Sequence, residues 1–158
     1  MKVYISGKIG EEVLTEVTRW KFDKTARILR AHGYEVFNPT RSGFGILAEE
    51  AVKNFVRNGE VTTWYAQVLM LDLEELERCD AIYMLPDWKQ SPGALVEYHF
   101  AEAIGKQIFF AVRRHAEHYL HERWIAIPEN GEKPLCRTTI KEMEDYIAEH
   151  ISEAYLDL

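Results

Sequence analysis

Two cysteines, five prolines and nine glycines are all that 158 residues hold of these types, and each shortage removes a class of protein. Cys79 and Cys136 have no ligand spacing around them. Neither a disulfide framework nor a cysteine metal centre is expected, and a reducing cytoplasm is the expected compartment. No apolar run approaches the roughly 18 residues of a membrane span, so no membrane association is expected. The opening residues, MKVYISGKIG, enter a β-rich run directly and are expected to carry no signal peptide. Basic charge is short as well: 19 Lys and Arg against 26 Asp and Glu leave a formal charge of −7, a poor balance for gripping duplex nucleic acid. With 47% hydrophobic and 28% charged residues, the composition is that of a globular protein, and one domain over 1–158 is expected.

What is present alternates. Lys2 to Ile5 reads as a strand closed by Ser6-Gly7, and 11–32 as a helix with Val13, Val17, Trp20, Ile28 and Leu29 on its inner stripe. Tyr34 to Phe37 is a second strand, ended by Asn38-Pro39. Residues 40–60 carry three glycines and show no clear period, which suggests a loop with one helical turn around 47–55. Thr62 to Arg78 reads as a helix with Trp64, Val68, Leu71 and Leu76 near one face. Ala81 to Leu85 is an apolar strand suited to burial on both faces. Pro92 to Ile104 is a helix and Gln107 to Val112 a fourth strand. Trp124 to Ile127 is a candidate fifth strand, and 139–154 a closing amphipathic helix with Ile140, Met143, Tyr146, Ile147 and Ile151 on one side. Such alternation implies a doubly wound parallel sheet of four to five strands with helices on both faces. Ligands of such sheets lie beyond the carboxyl ends of the strands, here Ser6 to Gly10, Asn38 to Thr40 and Pro86 to Ser91.

The helix after the third strand is the one with chemistry in it. Ser91 is a good N-cap, Pro92 suits the first helical position, and Gly93 permits close approach to the backbone. The amides of Gly93 and Ala94 are expected to point outward, a cradle for a phosphate or sugar oxygen. Glu97 stands in the second turn beside a stripe of Val96, Phe100, Ala103 and Ile104. Two readings of it stay open: a solvent-edge glutamate paired with a lysine, or a desolvated carboxylate served by polar groups from other strand ends. Tyr4 could donate to it, and Asp72 could act as a second carboxylate in a different environment, the arrangement that glycosidic chemistry uses. Asp80 reads as a turn residue. Trp64, Trp88 and Phe44 are aromatic platforms for a base, with Trp88 set in a polar loop beside the cap.

Taken together these stretches resemble the nucleoside 2-deoxyribosyltransferase superfamily, most closely its small DUF4406-type members. They are Val3-Tyr4-Ile5-Ser6-Gly7, Gly33 to Pro39, Asp72 with Leu76, Cys79 to Ile82, and above all Leu85-Pro86-Asp87-Trp88-x-x-Ser91-x-Gly93-Ala94-x-x-Glu97-x-x-x-Ala101. The resemblance implies a flavodoxin-like sheet and cleavage or transfer of the N-glycosidic bond of a 2′-deoxynucleoside or its 5′-monophosphate. It implies Glu97 as nucleophile, Asp72 as the acid assisting base departure and Tyr4 as the group orienting the nucleophile. Ser6, Gly7, Lys8, Asn38, Trp88, Ser91, Gly93 and Ala94 are the expected substrate contacts. Serine rather than aspartate at position 91 is what relatives acting on monophosphates carry, so Ser91 points toward a nucleotide. The resemblance further implies a small-molecule substrate and a homo-oligomer; no cofactor and no metal is expected. Two other readings are a nucleotide-binding module without catalysis and an NAD glycohydrolase. His115, His118 and His121, spaced by three, read as a solvated helix rather than a metal set.

Overall fold

The computed structural model describes residues 1–9, 14–115 and 122–128, with side chains described as far as residue 111. Five strands form one sheet in the order β2-β1-β3-β4-β5. They are β1 (Lys2–Ser6), β2 (Glu35–Phe37), β3 (Ala81–Met84), β4 (Gln107–His115) and β5 (Glu122–Pro128). The first four run parallel, and the order 2-1-3-4 with intervening helices is the flavodoxin-like arrangement. The candidate fifth strand exists but pairs antiparallel with β4. Six residues separate the two strands, too few for the crossover of a dozen or more that a parallel strand would need.

Alternation along β1 and β3 divides the core in two. Val3 and Ile5, with Ala81, Tyr83 and Leu85, face α1 (Glu16–Ala31), which contributes Phe22, Ala26 and Leu29. Tyr4, Ile82 and Met84 face the opposite layer, where Leu76 of α3 (Trp64–Glu77) and Ala94 and Ala101 of α4 (Pro92–Ala103) pack. Helices therefore cover both faces. Because strand side chains repeat every two residues, Tyr4 and Ser6 share the face turned toward α4. Both are buried, and Ser6 is the last residue of its strand.

Four sequence readings give way here. The inner stripe of α1 is Thr18, Phe22, Ala26, Ile28 and Leu29; Val17 is 61% exposed and Val13 lies outside the described residues. Residues 40–60 are no loop: a short 3-10 turn, Pro39–Arg41, leads into a full helix, α2 (Phe44–Arg57). The inner face of α4 is Ala94, Glu97 and Ala101, while Val96 and Ile104, expected inside, are each 42% exposed. His115 ends β4 rather than sitting in a helix. His118, His121, Cys136 and the closing segment 139–154 lie outside the described residues. Among the described residues no helix is long and apolar enough to cross a membrane.

Candidate functional site

Glu97 is at the middle of the buried face of α4, three residues after Ala94 and four before Ala101. It is 7% exposed, and among the described residues no lysine meets it. Tyr4 donates its hydroxyl to Glu97 Oε1 at 2.8 Å, and Ser6 donates to Oε2. The strand period that puts Tyr4 and Ser6 on one face thus delivers one O–H to each carboxylate oxygen. Burial pushes the Glu97 carboxyl up to about 7, with the Ser6 and Tyr4 hydrogen bonds opposing the rise because they favour the ionised form. The Tyr4 phenol is itself held well above its ordinary value by burial and by the charges of Glu97 and Asp72, so it stays a donor.

Asp72 comes from α3, whose start is fixed by Thr63 Oγ1 accepting from the Ala66 N–H at 3.1 Å. Trp64, Val68 and Asp72 follow at intervals of four and share one helix face. Asp72 is 8% exposed and its carboxyl rises to about 8, first through burial and then through the charge of Glu97, with Tyr4 opposing. The two carboxyls titrate as a pair. Glu97, with two hydroxyl donors, ionises first, and its charge then holds the Asp72 proton in place.

Both carboxylates open onto a cavity of about 580 Å³ at the carboxyl end of the sheet. One wall is α3, through Trp64, Tyr65, Val68, Leu69 and Asp72; the other is the start of α4, through Ser91 to Ala94 and Glu97, with Gly7 and Ile9 between. A second recess of about 270 Å³ adjoins it and shares Ile9, Trp64, Val68 and Asp72. This recess is closed by the start of α2, Gly43 to Ile46, with Arg19, Thr40 and Ser42. Asp72 lines both spaces; Glu97 lines only the larger. Gly7 is required here: a β-carbon on it would stand 2.8 Å from Leu85 Cδ1 and 2.9 Å from Leu85 Cβ.

Several expected substrate contacts have other work. Asn38 is buried as the cap of the 3-10 turn: its Nδ2 donates to Asp23 at 2.9 Å and its Oδ1 accepts from the Thr40 N–H at 3.0 Å and the Thr40 hydroxyl at 2.7 Å. Lys8 does not line the cavity; its backbone N–H donates to Asp87 Oδ1 at 3.1 Å and its carbonyl accepts from Lys21 at 2.8 Å. Trp88 packs on Tyr98 and Phe110, with ring centroids 4.8 and 5.7 Å away, inside the hydrophobic layer. Ser6 serves Glu97 instead of lining the cavity. The amides of the α4 start are not open either. Ser91 Oγ accepts from the Ala94 N–H at 3.3 Å, and the Tyr65 hydroxyl crowds Gly93, 2.6 Å from where a β-carbon on it would stand. Asp80 accepts from the Lys2 N–H at 2.7 Å, a tie between strand starts.

Ser91, Gly7, Gly93 and Ala94 do line the cavity together with Glu97 and Asp72. Tyr65 is the wall residue that sequence reasoning passed over; the signal for it was its position seven residues, two helical turns, before Asp72. Of the aromatic platforms expected, Trp64 lines both spaces, with its indole N–H donating to the Gly45 carbonyl at 3.0 Å, and Phe44 lines the recess. No curated protein matches the chain. Residues 1–110, which carry the four parallel strands up to Phe110 and every residue of this site, match the family described as a domain of unknown function, DUF4406, and the chain belongs to that family.

Proposed function

We propose that this protein cleaves or transfers the N-glycosidic bond of a 2′-deoxynucleoside or its 5′-monophosphate through a glycosyl-Glu97 ester. One observation carries the reading: a buried carboxylate whose two oxygens each accept a hydroxyl proton, on the wall of a cavity that it shares with a second, more weakly acidic carboxylate. Two carboxyls driven apart in acidity divide naturally into nucleophile and acid.

In this scheme ionised Glu97 attacks C1′ of the deoxyribosyl group. The C1′–N bond breaks, its electron pair leaves with the base, and the Asp72 proton neutralises that base. The ester is then opened by water, giving hydrolysis, or by a second base, giving transfer. Asp72 suits its part because it stands where the two cavities join. The sugar fits the larger space beside Glu97, and the base fits the recess bordered by Trp64 and Phe44. A 2-deoxy sugar eases the step, since no electron-withdrawing 2′-hydroxyl opposes positive charge at C1′.

Incubation with each deoxynucleoside and its monophosphate, followed by chromatography for free base, tests the reaction. E97Q keeps the shape of the side chain and removes the nucleophile; turnover is expected to fall by at least about 1,000-fold. Undiminished base release by E97Q sinks the scheme. Binding of a nucleoside without any turnover by the parent protein favours a non-catalytic binding module.

A further inference from the structure

Tyr65 is the second residue of α3 and is 50% exposed, yet its hydroxyl is engaged at the start of α4. Its oxygen lies 2.6 Å from the place a β-carbon on Gly93 would take. Pro92 has no N–H, and the Ala94 N–H belongs to Ser91 Oγ. Of the first three residues only Gly93 then has an amide to offer an incoming anion, and the Tyr65 hydroxyl stands against that residue, although a helix start is ordinarily where a phosphate settles. Nor is there a cation to compensate. No Lys, Arg or His lines the larger cavity among the described residues, whereas Asp72 and Glu97 do. Arg19 borders the adjoining recess, whose lining includes neither Ser91 nor Gly93.

We infer that Tyr65 sets the substrate class of this site: its hydroxyl takes the position at the start of α4 that a 5′-phosphate would occupy, and so restricts the protein to uncharged 2′-deoxynucleosides. This rests on the glycosidic reading above and narrows it, against the nucleotide that Ser91 alone suggests. A neutral 5′-hydroxyl can share the space with the phenol, because Ser91 Oγ accepts from Ala94 and still has its own proton to donate. A dianionic phosphate must expel Tyr65 and then lie near two carboxylates.

The test compares deoxyguanosine with dGMP and deoxycytidine with dCMP as substrates of the parent, Y65F and Y65A. The parent is expected to prefer the nucleoside by at least about tenfold in kcat/KM. Y65A and Y65F both remove the hydroxyl: Y65A is expected to narrow that preference about tenfold through a lower KM for the monophosphate, and Y65F, which keeps the ring in place, to narrow it in the same direction by less. A parent that prefers the monophosphate overturns the inference, as does a Y65A that loses both substrates in parallel. If no variant releases base, the glycosidic reading has failed, and the inference is then read from calorimetric affinities for the same four compounds. A nucleoside preference that shrinks in Y65A supports it; equal affinities, or no binding of either, overturn it.

Discussion

At the residue scale the protein turns on Glu97 and Asp72 differing in when they lose a proton. In the proposed scheme Glu97 is ionised to attack and Asp72 protonated to assist departure. With the pair titrating at about 7 and about 8, kcat/KM is expected to follow a narrow bell with its maximum between those values. D72N is expected to slow base release roughly 100-fold and to remove the alkaline limb, because the group whose deprotonation causes it is gone. Y4F takes away a donor that favours ionised Glu97, so the acidic limb is expected to move to higher pH; a limb moving to lower pH would contradict the geometry. Measured pH–rate profiles of the three proteins decide. Glu97, Asp72 and Tyr4 were legible as candidates in the sequence, because a carboxylate on a helix of small and apolar residues is costly unless served by donors. What the sequence could not reveal was that Ser6 is the second donor: its hydroxyl is as compatible with a ligand as with Glu97, and only the pairing of β1 beside β3 decides.

At the element scale the sheet was readable because a buried parallel strand writes its pattern into consecutive residues, as Ala81 to Met84 do. Helix faces were harder. In α4 the innermost positions are Ala94, Glu97 and Ala101, small or charged, so a search for the most apolar stripe chooses Val96 and Ile104 on the wrong side. In α2 the obstacle was glycine. Gly43 caps the helix in a left-handed conformation, φ 72°, and Gly45 lies in its first turn, where Trp64 comes within 3.3 Å of the place a β-carbon would take. Both read as helix breakers, although Phe44, Leu47, Ala48, Ala51, Val52 and Phe55 repeat at helical spacing. Asn38 was misjudged because a residue at a strand end can cap the next turn as readily as hold a ligand. The glycine of the β1 loop allows a prediction at this scale. G7A drives a β-carbon into the Leu85 side chain, which is 1% exposed and has no free direction to move. It is expected to cost about 1–3 kcal/mol in urea unfolding, and a loss below about 0.5 kcal/mol would show that the β1 and β3 loops are less tightly apposed than described.

At the scale of the whole molecule, a site made of two buried carboxyls is a burden on the fold. Unfolded, Glu97 and Asp72 would titrate near 4.3 and 3.9; folded, they do so at about 7 and about 8. Between roughly pH 4 and pH 8 the native state therefore holds more protons than the unfolded one, and linkage makes stability fall as pH rises through that window. The exposed acidic surface and the net charge of −7 also act on stability, but comparing parent with variant at each pH largely removes their contribution. E97Q and D72N are each expected to be more stable than the parent at pH 8, by about 1–3 kcal/mol in urea unfolding, with the gain shrinking at pH 5, where the parent's two carboxyls are already protonated. The pair also sets how the two changes combine. Part of the strain at Asp72 is the charge of Glu97, so once Glu97 is replaced Asp72 has less to gain. The double variant should then exceed the parent by less than the sum of the two gains. Strict additivity at pH 8 would mean that the carboxyls do not sense each other, and the division into nucleophile and acid would lose its electrostatic basis.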